Sequence, residues 1–327
     1  MVQVIAPLAA ASPAALIEQA GRAQAEGADL VELRLDLCLD QGAIAADCIA
    51  AIPMLALPTV FTLRHASEGG AWQGSEDERL RLCLDADRAG AAYIDLELAH
   101  HRAGWRPQRA KLILSFHDFC GLGGDLADVV DRQRAAGADI AKVAVTPRDA
   151  ADLAVIERLL RRGGGPLCAL AMGEYGLPSR LLAGAWGAAL TFGRLTDSVG
   201  SAPGQPTIRE LVELYRGKKQ GQQTRIFGVL GNPVGHSLSP LIHNTAFIHH
   251  GIDAVYVPFL ARNAEAFWRA CGGWIDGLSI TIPHKHALLQ VVDRLEPLAM
   301  RIGAMNTICR DGHNRIMGAI TEATAAI

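Results

Sequence analysis

Short apolar segments alternate along the first two thirds of the chain with amphipathic segments of helical spacing. Eight apolar segments are rich in Val, Ile, Leu and Ala, which is typical of strands buried on both faces of a parallel sheet. They lie at 2–8, 29–36, 59–64, 93–98, 111–119, 139–145, 167–172 and 188–192. Between them, helices are predicted at 14–26, 77–89, 126–136 and 148–161, several followed by a glycine at the expected C-cap.

Eight strand and helix units within about 210 residues predict an α/β fold, a (β/α)8 TIM barrel, with an open doubly wound sheet as the alternative. The polar segment 216–225 has no apolar periodicity and is predicted to be a linker. Apolar segments at 226–230, 254–259, 277–282 and 306–309, and a helix capped by Ser239 and ending near Gly251, follow it. We therefore expect a barrel at 1–215, a linker at 216–225 and a partial α/β domain at 226–327.

Composition and charge favour a protein that acts on small molecules. Half of the 327 residues are hydrophobic and the net charge is only -3, which argues against a nucleic-acid or anionic membrane partner. No apolar run reaches the roughly 18 residues that span a bilayer, and no basic segment of a signal peptide precedes residue 8. The seven cysteines form no Cys/His cluster. We expect a cytoplasmic protein without a metal site.

Lys142 lies in the middle of the sixth predicted strand, where an ammonium ion is costly unless it is paired or neutral. Its amine either reaches solvent at the strand end or serves Schiff-base chemistry. Functional side chains of a barrel gather at the carboxyl ends of its strands. Polar or bulky residues follow the other predicted strands at such ends: Glu32, Arg34, Arg64, Glu68, His117, Met172, Arg180 and Phe192, with Ser201, Ala202 and Gln205 in a later loop. Singly, Glu32 and Arg34 could form a structural ion pair and His117 could be a core histidine, but their convergence favours an active site.

Six segments together resemble type I 3-dehydroquinate dehydratase, in order, over about 210 residues: Glu32-Leu-Arg34, Arg64 to Glu68-Gly-Gly, Ser115-Phe-His117-Asp-Phe, Lys142, Met172-Gly with Ser179-Arg180, and Ser-Ala-Pro-Gly-Gln205. The resemblance implies that Lys142 forms a Schiff base with the ketone of 3-dehydroquinate. It implies that His117 is the general base and acid, oriented by Glu68, and that no cofactor is needed. Arg180 would bind the substrate carboxylate, and the other residues would contact the ring: Glu32, Arg34, Arg64, Met172, Phe192, Ser201, Ala202 and Gln205. A class I aldolase and a non-catalytic sensor of quinate or shikimate remain alternatives.

The second part of the chain resembles the substrate-binding domain of shikimate dehydrogenase. The segments are Gly231 to Pro240, Ser279-Ile-Thr281-Ile-Pro-His-Lys285 and Gly303-Ala-Met-Asn306-Thr. The resemblance implies that shikimate is bound by Ser237, Ser239, Thr281 and Asn306. It also implies proton transfer by Lys285, which is expected at the start of a helix at 284–295.

The likeness to shikimate dehydrogenase is incomplete. The family's Gly-x-Asn-Thr-Asp segment reads Gly318-Ala-Ile320-Thr321-Glu322 here, and the chain contains no G-x-G-x-x-G motif for the NADP that the family implies. We therefore expect a truncated unit that lacks the NADP domain and is inactive as a dehydrogenase. Its exposed apolar surface would suit a partner, such as a second copy in a homodimer.

Overall fold

Eight parallel strands form a barrel in the computed structural model, which describes residues 1–196 and 204–321. The strands are β1 Gln3–Leu8, β2 Leu30–Arg34, β3 Thr59–Thr62, β4 Tyr93–Glu97, β5 Lys111–Asp118, β6 Ile140–Val145, β7 Leu167–Ala171 and β8 Leu190–Phe192. Their order is β7-β6-β5-β4-β3-β2-β1-β8. The N–H of Ala189 donates to the carbonyl of Leu167 at 2.8 Å and brings the two ends of the sheet together. The predicted barrel is confirmed, and the open doubly wound alternative is wrong.

Helices cover the outside of the barrel and bury their apolar faces against the strands. They are α1 Pro13–Glu26, α2 Leu35–Asp40, α3 Ala45–Ala50, α4 Glu76–Arg88, α5 Leu126–Ala135, α6 Leu153–Arg161, α7 Gly173–Leu181 and α8 Ala183–Trp186. The hydroxyl of Ser12 caps the start of α1, and Gly27 ends it at φ 96°. This left-handed conformation strains any residue with a Cβ, so the predicted glycine C-cap is confirmed here.

Alternation along each strand divides the core into two layers. Ile113 belongs to the cluster inside the barrel, whereas its neighbours Leu112 and Leu114 belong to the layer between sheet and helices. By the same period of two, Lys142 shares the inner face of β6 with Ile140 and Ala144, which both pack inside. The Lys142 side chain is only 6% exposed. Its amine therefore does not reach bulk solvent.

A six-stranded sheet of order β10-β9-β11-β13-β14-β12 forms the second unit. Its elements are β9 Arg225–Gly231, α9 Ser239–His249, β10 Ala254–Leu260, α10 Ala264–Cys271, β11 Gly277–Ile280, β12 Arg294–Leu295, α11 Pro297–Ile302, β13 Thr307–Arg310 and β14 Ile316–Ala319. The predicted linker packs on the barrel, because the buried amide of Gln220 donates to the carbonyls of Leu181 and Tyr215, both at 2.8 Å. Within the described ranges, no helix is both long and apolar enough to cross a membrane.

The helix predicted at 284–295 is wrong. The segment forms turns, a 3-10 turn at Leu289–Val291 and the short β12. Bonds to distant segments hold it: one ring nitrogen of His284 lies 2.8 Å from the carbonyl of Ala261, and the carbonyl of Lys285 accepts from the N–H of Met305 at 2.9 Å. Tertiary bonds here override the helical spacing of the sequence. The expectation that Lys285 lies at the start of a helix is therefore also wrong.

Ser239 does not cap α9 in the way the sequence predicts. It is the first residue of the helix, with Leu238 at the N-cap position and no side-chain capping bond. The Ser237 hydroxyl instead accepts from the N–H of Ser239 at 3.3 Å. The Ser239 side chain is thus not used as a cap.

Candidate active site

The amine of Lys142 lies inside the barrel between carboxylates and an aromatic ring. Its Nζ donates to Oδ2 of Asp95 at 2.7 Å and lies 3.7 Å from Oε1 of Glu32. The ring of Phe192 lies on another side, with its centroid 4.5 Å from Nζ. An ammonium ion taken out of water needs such partners to offset its lost hydration.

Asp95 connects this lysine to a buried arginine. Arg64 donates to Oδ1 of Asp95 at 2.8 Å, to Oε1 of Glu97 at 2.8 Å and to the hydroxyl of Ser115 at 2.7 Å. Burial alone would raise the pKa of Asp95, but the charges of Arg64 and Lys142 outweigh it and hold this pKa far below its usual range. The carboxylate is therefore ionised and holds the two cations side by side.

Neither Asp95 nor Glu97 was predicted as part of the site. The second oxygen of Glu97 accepts from Arg79 on α4, and both side chains are fully buried. A signal was present in the sequence, since two carboxylates two positions apart within an apolar strand must share one buried face and need cationic partners.

His117 and Glu68 form a hydrogen-bonded pair at the rim. Oε2 of Glu68 accepts from the backbone N–H of His117 at 2.9 Å and lies 3.0 Å from its Nδ1. Burial lowers the pKa of His117 well below the usual histidine value, and the charges of Arg64 and Lys142 lower it further. Burial also raises the pKa of Glu68 to about 7. Both shifts favour an uncharged pair, so His117 presents a neutral imidazole with Nε2 left for a ligand.

We expect the ring of His117 to stay neutral at pH 6. A pKa lowered by burial means that the charged form appears only at a pH below the ordinary value, and an unperturbed histidine is about three-quarters protonated at that pH. The measurement is 15N NMR of imidazole-labelled protein, with the His117 signals assigned by their loss in His117→Gln. Signals of a protonated His117 ring at pH 6 would contradict the burial argument.

Two further arginines contact the same space in different ways. Arg34 pairs with Asp36 through two bonds of 3.0 and 2.7 Å, so the ion pair between Arg34 and Glu32 considered from the sequence is wrong. Arg180 on α7 is 2% exposed. Its guanidinium has no hydrogen bond within the described ranges, its Nε is buried without a partner, and burial lowers its pKa to about 10. Because an unpaired buried cation is costly, Arg180 is suited to an anionic ligand.

One cavity at the carboxyl ends of the strands brings the predicted barrel residues together. With its open mouth it measures about 480 Å³. Ten predicted residues line it: Glu32, Arg34, Arg64, Glu68, His117, Lys142, Met172, Arg180, Phe192 and Gln205. Gly69, Phe119, Ala144 and Leu170 complete the lining. Ser201 and Ala202 lie outside the described residues. The sheet thus gathers groups that are up to 173 positions apart in the sequence.

A second cavity brings together the predicted residues of the second unit except one. Ser237, Ser239, Thr281 and Asn306 line it, together with Ser279 and Thr321. Lys285 is not among the described residues that line this cavity. Ile320 is buried, and Glu322 lies outside the described residues.

The fold and the first cavity define a (β/α)8 barrel with a buried amine among the strand ends, an arrangement suited to Schiff-base chemistry. The chain belongs to the type I 3-dehydroquinase family, whose profile matches residues 4–229. The profile of the shikimate dehydrogenase substrate binding domain matches residues 229–308. Both resemblances inferred from the sequence are confirmed.

Relatives with both activities in their names match nearly the whole chain. A chloroplastic bifunctional 3-dehydroquinate dehydratase/shikimate dehydrogenase of Arabidopsis thaliana is 40% identical over 99% of this chain and 55% of its own length. A 3-dehydroquinate dehydratase of Methanothrix thermoacetophila is 39% identical over 59% of this chain and 83% of its own. The structure of the dehydroquinate dehydratase and shikimate dehydrogenase of S. pombe AroM is 25% identical with a TM-score of 0.54, over 97% of this chain and 64% of its own. The chain thus spans about half the length of the Arabidopsis relative.

Proposed function

We propose that this chain is a lyase that dehydrates 3-dehydroquinate to 3-dehydroshikimate through a Schiff base at Lys142. The observation that carries the proposal is a single cavity that contains both the amine of Lys142 and the guanidinium of Arg180, which has no hydrogen bond within the described ranges. A ligand with both a ketone and a carboxylate satisfies both groups, and 3-dehydroquinate has both. Membership of the family supports the same substrate.

In the first step the ammonium ion of Lys142 gives up a proton and its amine attacks the C3 ketone; that proton and a second one from the same nitrogen then leave with the carbonyl oxygen as water. The product is an iminium ion that draws electrons away from C2. It carries the same positive charge as the ammonium ion, so Asp95, at 2.7 Å from Nζ, stabilises both. The site therefore need not reorganise its charges when the Schiff base forms.

His117 then removes a proton from C2, and the electron pair moves toward the iminium nitrogen. When the C1 hydroxyl leaves, the same imidazole returns the proton to it, so that water is released. Glu68, whose Oε2 lies 3.0 Å from Nδ1, fixes the orientation of the ring during both transfers. Hydrolysis of the iminium ion releases 3-dehydroshikimate and restores Lys142.

The remaining groups hold the substrate in place. Arg180 binds the substrate carboxylate through two parallel N–H donors in the plane of its guanidinium, a geometry that an ammonium ion does not have. The other members of the proposed binding set are Glu32, Arg34, Arg64, Met172, Phe192, Ser201, Ala202 and Gln205. Arg64 is already bonded to Asp95, Glu97 and Ser115. It therefore acts chiefly by positioning the lysine network.

For the second unit we propose binding of a hydroxylated ring such as shikimate. Its cavity offers short hydroxyl and amide groups at Ser237, Ser239, Thr281 and Asn306, which suit ring hydroxyls. The family implies NADP, but this donor set has no cationic side chain for the phosphates of a dinucleotide, and the glycine motif for one is not in the sequence. The absence of dehydrogenase activity, the role of Lys285 in proton transfer, the homodimer and the cytoplasmic location stay predictions.

The proposal is tested by incubating the full chain with 3-dehydroquinate in the presence and absence of sodium borohydride. Without borohydride we expect the ultraviolet absorbance of a conjugated enone to rise. With it we expect loss of activity and a reduced substrate adduct on the peptide that contains Lys142, found by mass spectrometry. Aldol cleavage products instead of the enone would support the aldolase alternative, and ligand binding without either reaction would support a sensor.

A further inference from the structure

Three potential metal ligands meet beside the active site, although they come from separate segments. His65 follows β3, His100 ends the 3-10 turn Leu98–His100 after β4, and Glu76 is the first residue of α4. One nitrogen of each ring and one oxygen of Glu76 all lie within 4.8 Å of one another. The two imidazole rings are 4.2 Å apart between centroids and inclined at 37°. Because β3 and β4 are neighbours, the sheet itself brings the two histidines together.

We propose that His65, His100 and Glu76 form a binding site for a divalent transition-metal ion, best represented by Zn²⁺. Two imidazoles and one carboxylate are a donor set that Zn²⁺ accepts, with water in the fourth position of a tetrahedron. Imidazole nitrogen also selects such ions over Mg²⁺ and Ca²⁺, which prefer oxygen ligands alone. No metal site is predicted from the sequence because closely spaced Cys and His residues are its usual sign, whereas these three ligands span 36 positions.

Ser67 is placed to orient both rings. Its Oγ lies 2.8 Å from Nδ1 of His65 and 3.1 Å from Nε2 of His100. A hydroxyl oxygen has two lone pairs and can accept an N–H from both rings at once. The other nitrogen of each ring then carries the lone pair that a metal needs, and Nδ1 of His100 lies 3.3 Å from Oε1 of Glu76. Metal-bound histidines generally have such an acceptor on their outer nitrogen.

Besides the contact between His100 and Glu76, two existing contacts compete with the metal, and both can be exchanged. The backbone N–H of Ser67 donates to Nδ1 of His65 at 3.1 Å. This hydrogen bond is lost when Nδ1 carries the proton and donates to the Ser67 hydroxyl instead. Arg79 donates to Oε1 of Glu76 at 3.3 Å, but Arg79 retains Glu97 as a second partner. Oε2 of Glu76 is buried without a hydrogen bond in the described ranges. A metal ion bound by both oxygens of Glu76 would supply the partner that Oε2 lacks.

The site adjoins the machinery proposed for dehydration. His65 caps the start of the 3-10 turn Ala66–Glu68, and Glu68, the last residue of that turn, contacts His117. The backbone N–H of His65 also donates to Oε1 of Glu97 at 3.0 Å, the oxygen that accepts from Arg64. A bound metal would therefore fix the turn that positions Glu68. This consequence rests on the proposed function, but metal binding itself does not.

The test is calorimetric titration of the chelator-treated full chain with ZnCl₂, together with visible absorption spectra after Co²⁺ is added. We expect one saturable site per chain and the d–d bands of tetrahedral Co²⁺. His100→Gln and Glu76→Gln should each abolish both signals. His101→Gln is the matched control, because this adjacent histidine contacts the carbonyl of Trp105 at 2.9 Å and lies outside the cluster; it should bind as the wild type does.

The Ser67→Ala variant distinguishes Zn²⁺ binding at the proposed site from weak binding by histidines elsewhere on the protein. Loss of an acceptor on the outer nitrogens should weaken Zn²⁺ binding by about 10–100-fold without changing its stoichiometry. Circular dichroism spectra equal to the wild type would show that each variant is folded. The proposal is overturned if the wild type shows no saturable site, or if His100→Gln and Glu76→Gln bind Zn²⁺ as tightly as His101→Gln. Because these readouts need no substrate, they stand even if the chain proves to lack dehydratase activity.

Discussion

We expect Lys142→Ala to lower kcat by about 10⁴–10⁶-fold, as is found when the nucleophile of an enzyme is removed. Without the amine, no iminium ion can form and C2 loses its electron sink. No substrate adduct should appear on the chain after borohydride treatment, as followed by intact-protein mass spectrometry. A trapped adduct on this variant would exclude Lys142 as the Schiff-base residue.

The alanine variant has a second effect that must be separated from the first. It removes one of the two cations bonded to Asp95 and the cation beside Glu32, and a buried ion pair broken in this way costs up to about 3–5 kcal/mol of stability. Lys142→Arg is the matched control, since it keeps a positive charge against Asp95 but offers no nucleophilic amine. We expect Lys142→Arg to fold, to bind the substrate and to give no adduct. Turnover by this variant within tenfold of the wild type would contradict covalent catalysis.

The barrel could be predicted because its strands follow one simple physical rule. A strand between helices and barrel interior is apolar on both faces, so the eight strands appear as continuous apolar segments. Parallel strands also place their carboxyl ends on one rim. For that reason His117 and Arg180 were expected beside Lys142 although they come from different parts of the sequence, and the cavity confirms that they lie together.

The partners of the buried charges were harder to predict. The sequence shows that Arg34 is close to Glu32, but the structure pairs it with Asp36 at the start of α2. The carboxylate that pairs with a guanidinium is determined by the direction of the side chains and by the turn after the strand. Neither of these follows from the periodicity of apolar residues in the sequence. Asp95 was missed for a different reason. Its carboxylate lies within an apolar strand, as the amine of Lys142 does, and a buried charge of either sign needs a partner.

The helix predicted at 284–295 in the second unit was wrong because long-range hydrogen bonds determine the backbone conformation of this segment. Residues 284–295 have a helical pattern of apolar positions, yet β12 pairs in parallel with β14. His286 is also held by the carbonyl of Gly303, 2.8 Å from its Nδ1. Such bonds join segments that are 17 or more positions apart. A local pattern therefore gives no sign of them.

His117→Ala should separate formation of the Schiff base from the elimination that follows it. A positioned general acid and base contributes about 10²–10⁴-fold to the rate, so we expect kcat to fall by that factor. The amine of Lys142 and its bond to Asp95 are not part of the pair formed by His117 and Glu68. The variant should therefore still form the iminium ion, and borohydride should still trap on Lys142 an adduct with the mass of the reduced substrate imine, which retains the C1 hydroxyl.

The contrast between the two variants is the sharpest test of the proposed roles. Lys142→Ala is expected to lose turnover and trapping together, whereas His117→Ala is expected to lose turnover and keep trapping. The oxygen of Glu68 also accepts from the backbone N–H of His117 at 2.9 Å, so the turn that carries Glu68 keeps one anchor in His117→Ala and the rim should stay in place. If His117→Ala formed no adduct while its circular dichroism spectrum matched the wild type, the histidine would be needed for attack on the ketone itself. Its assignment to the proton at C2 would then be wrong.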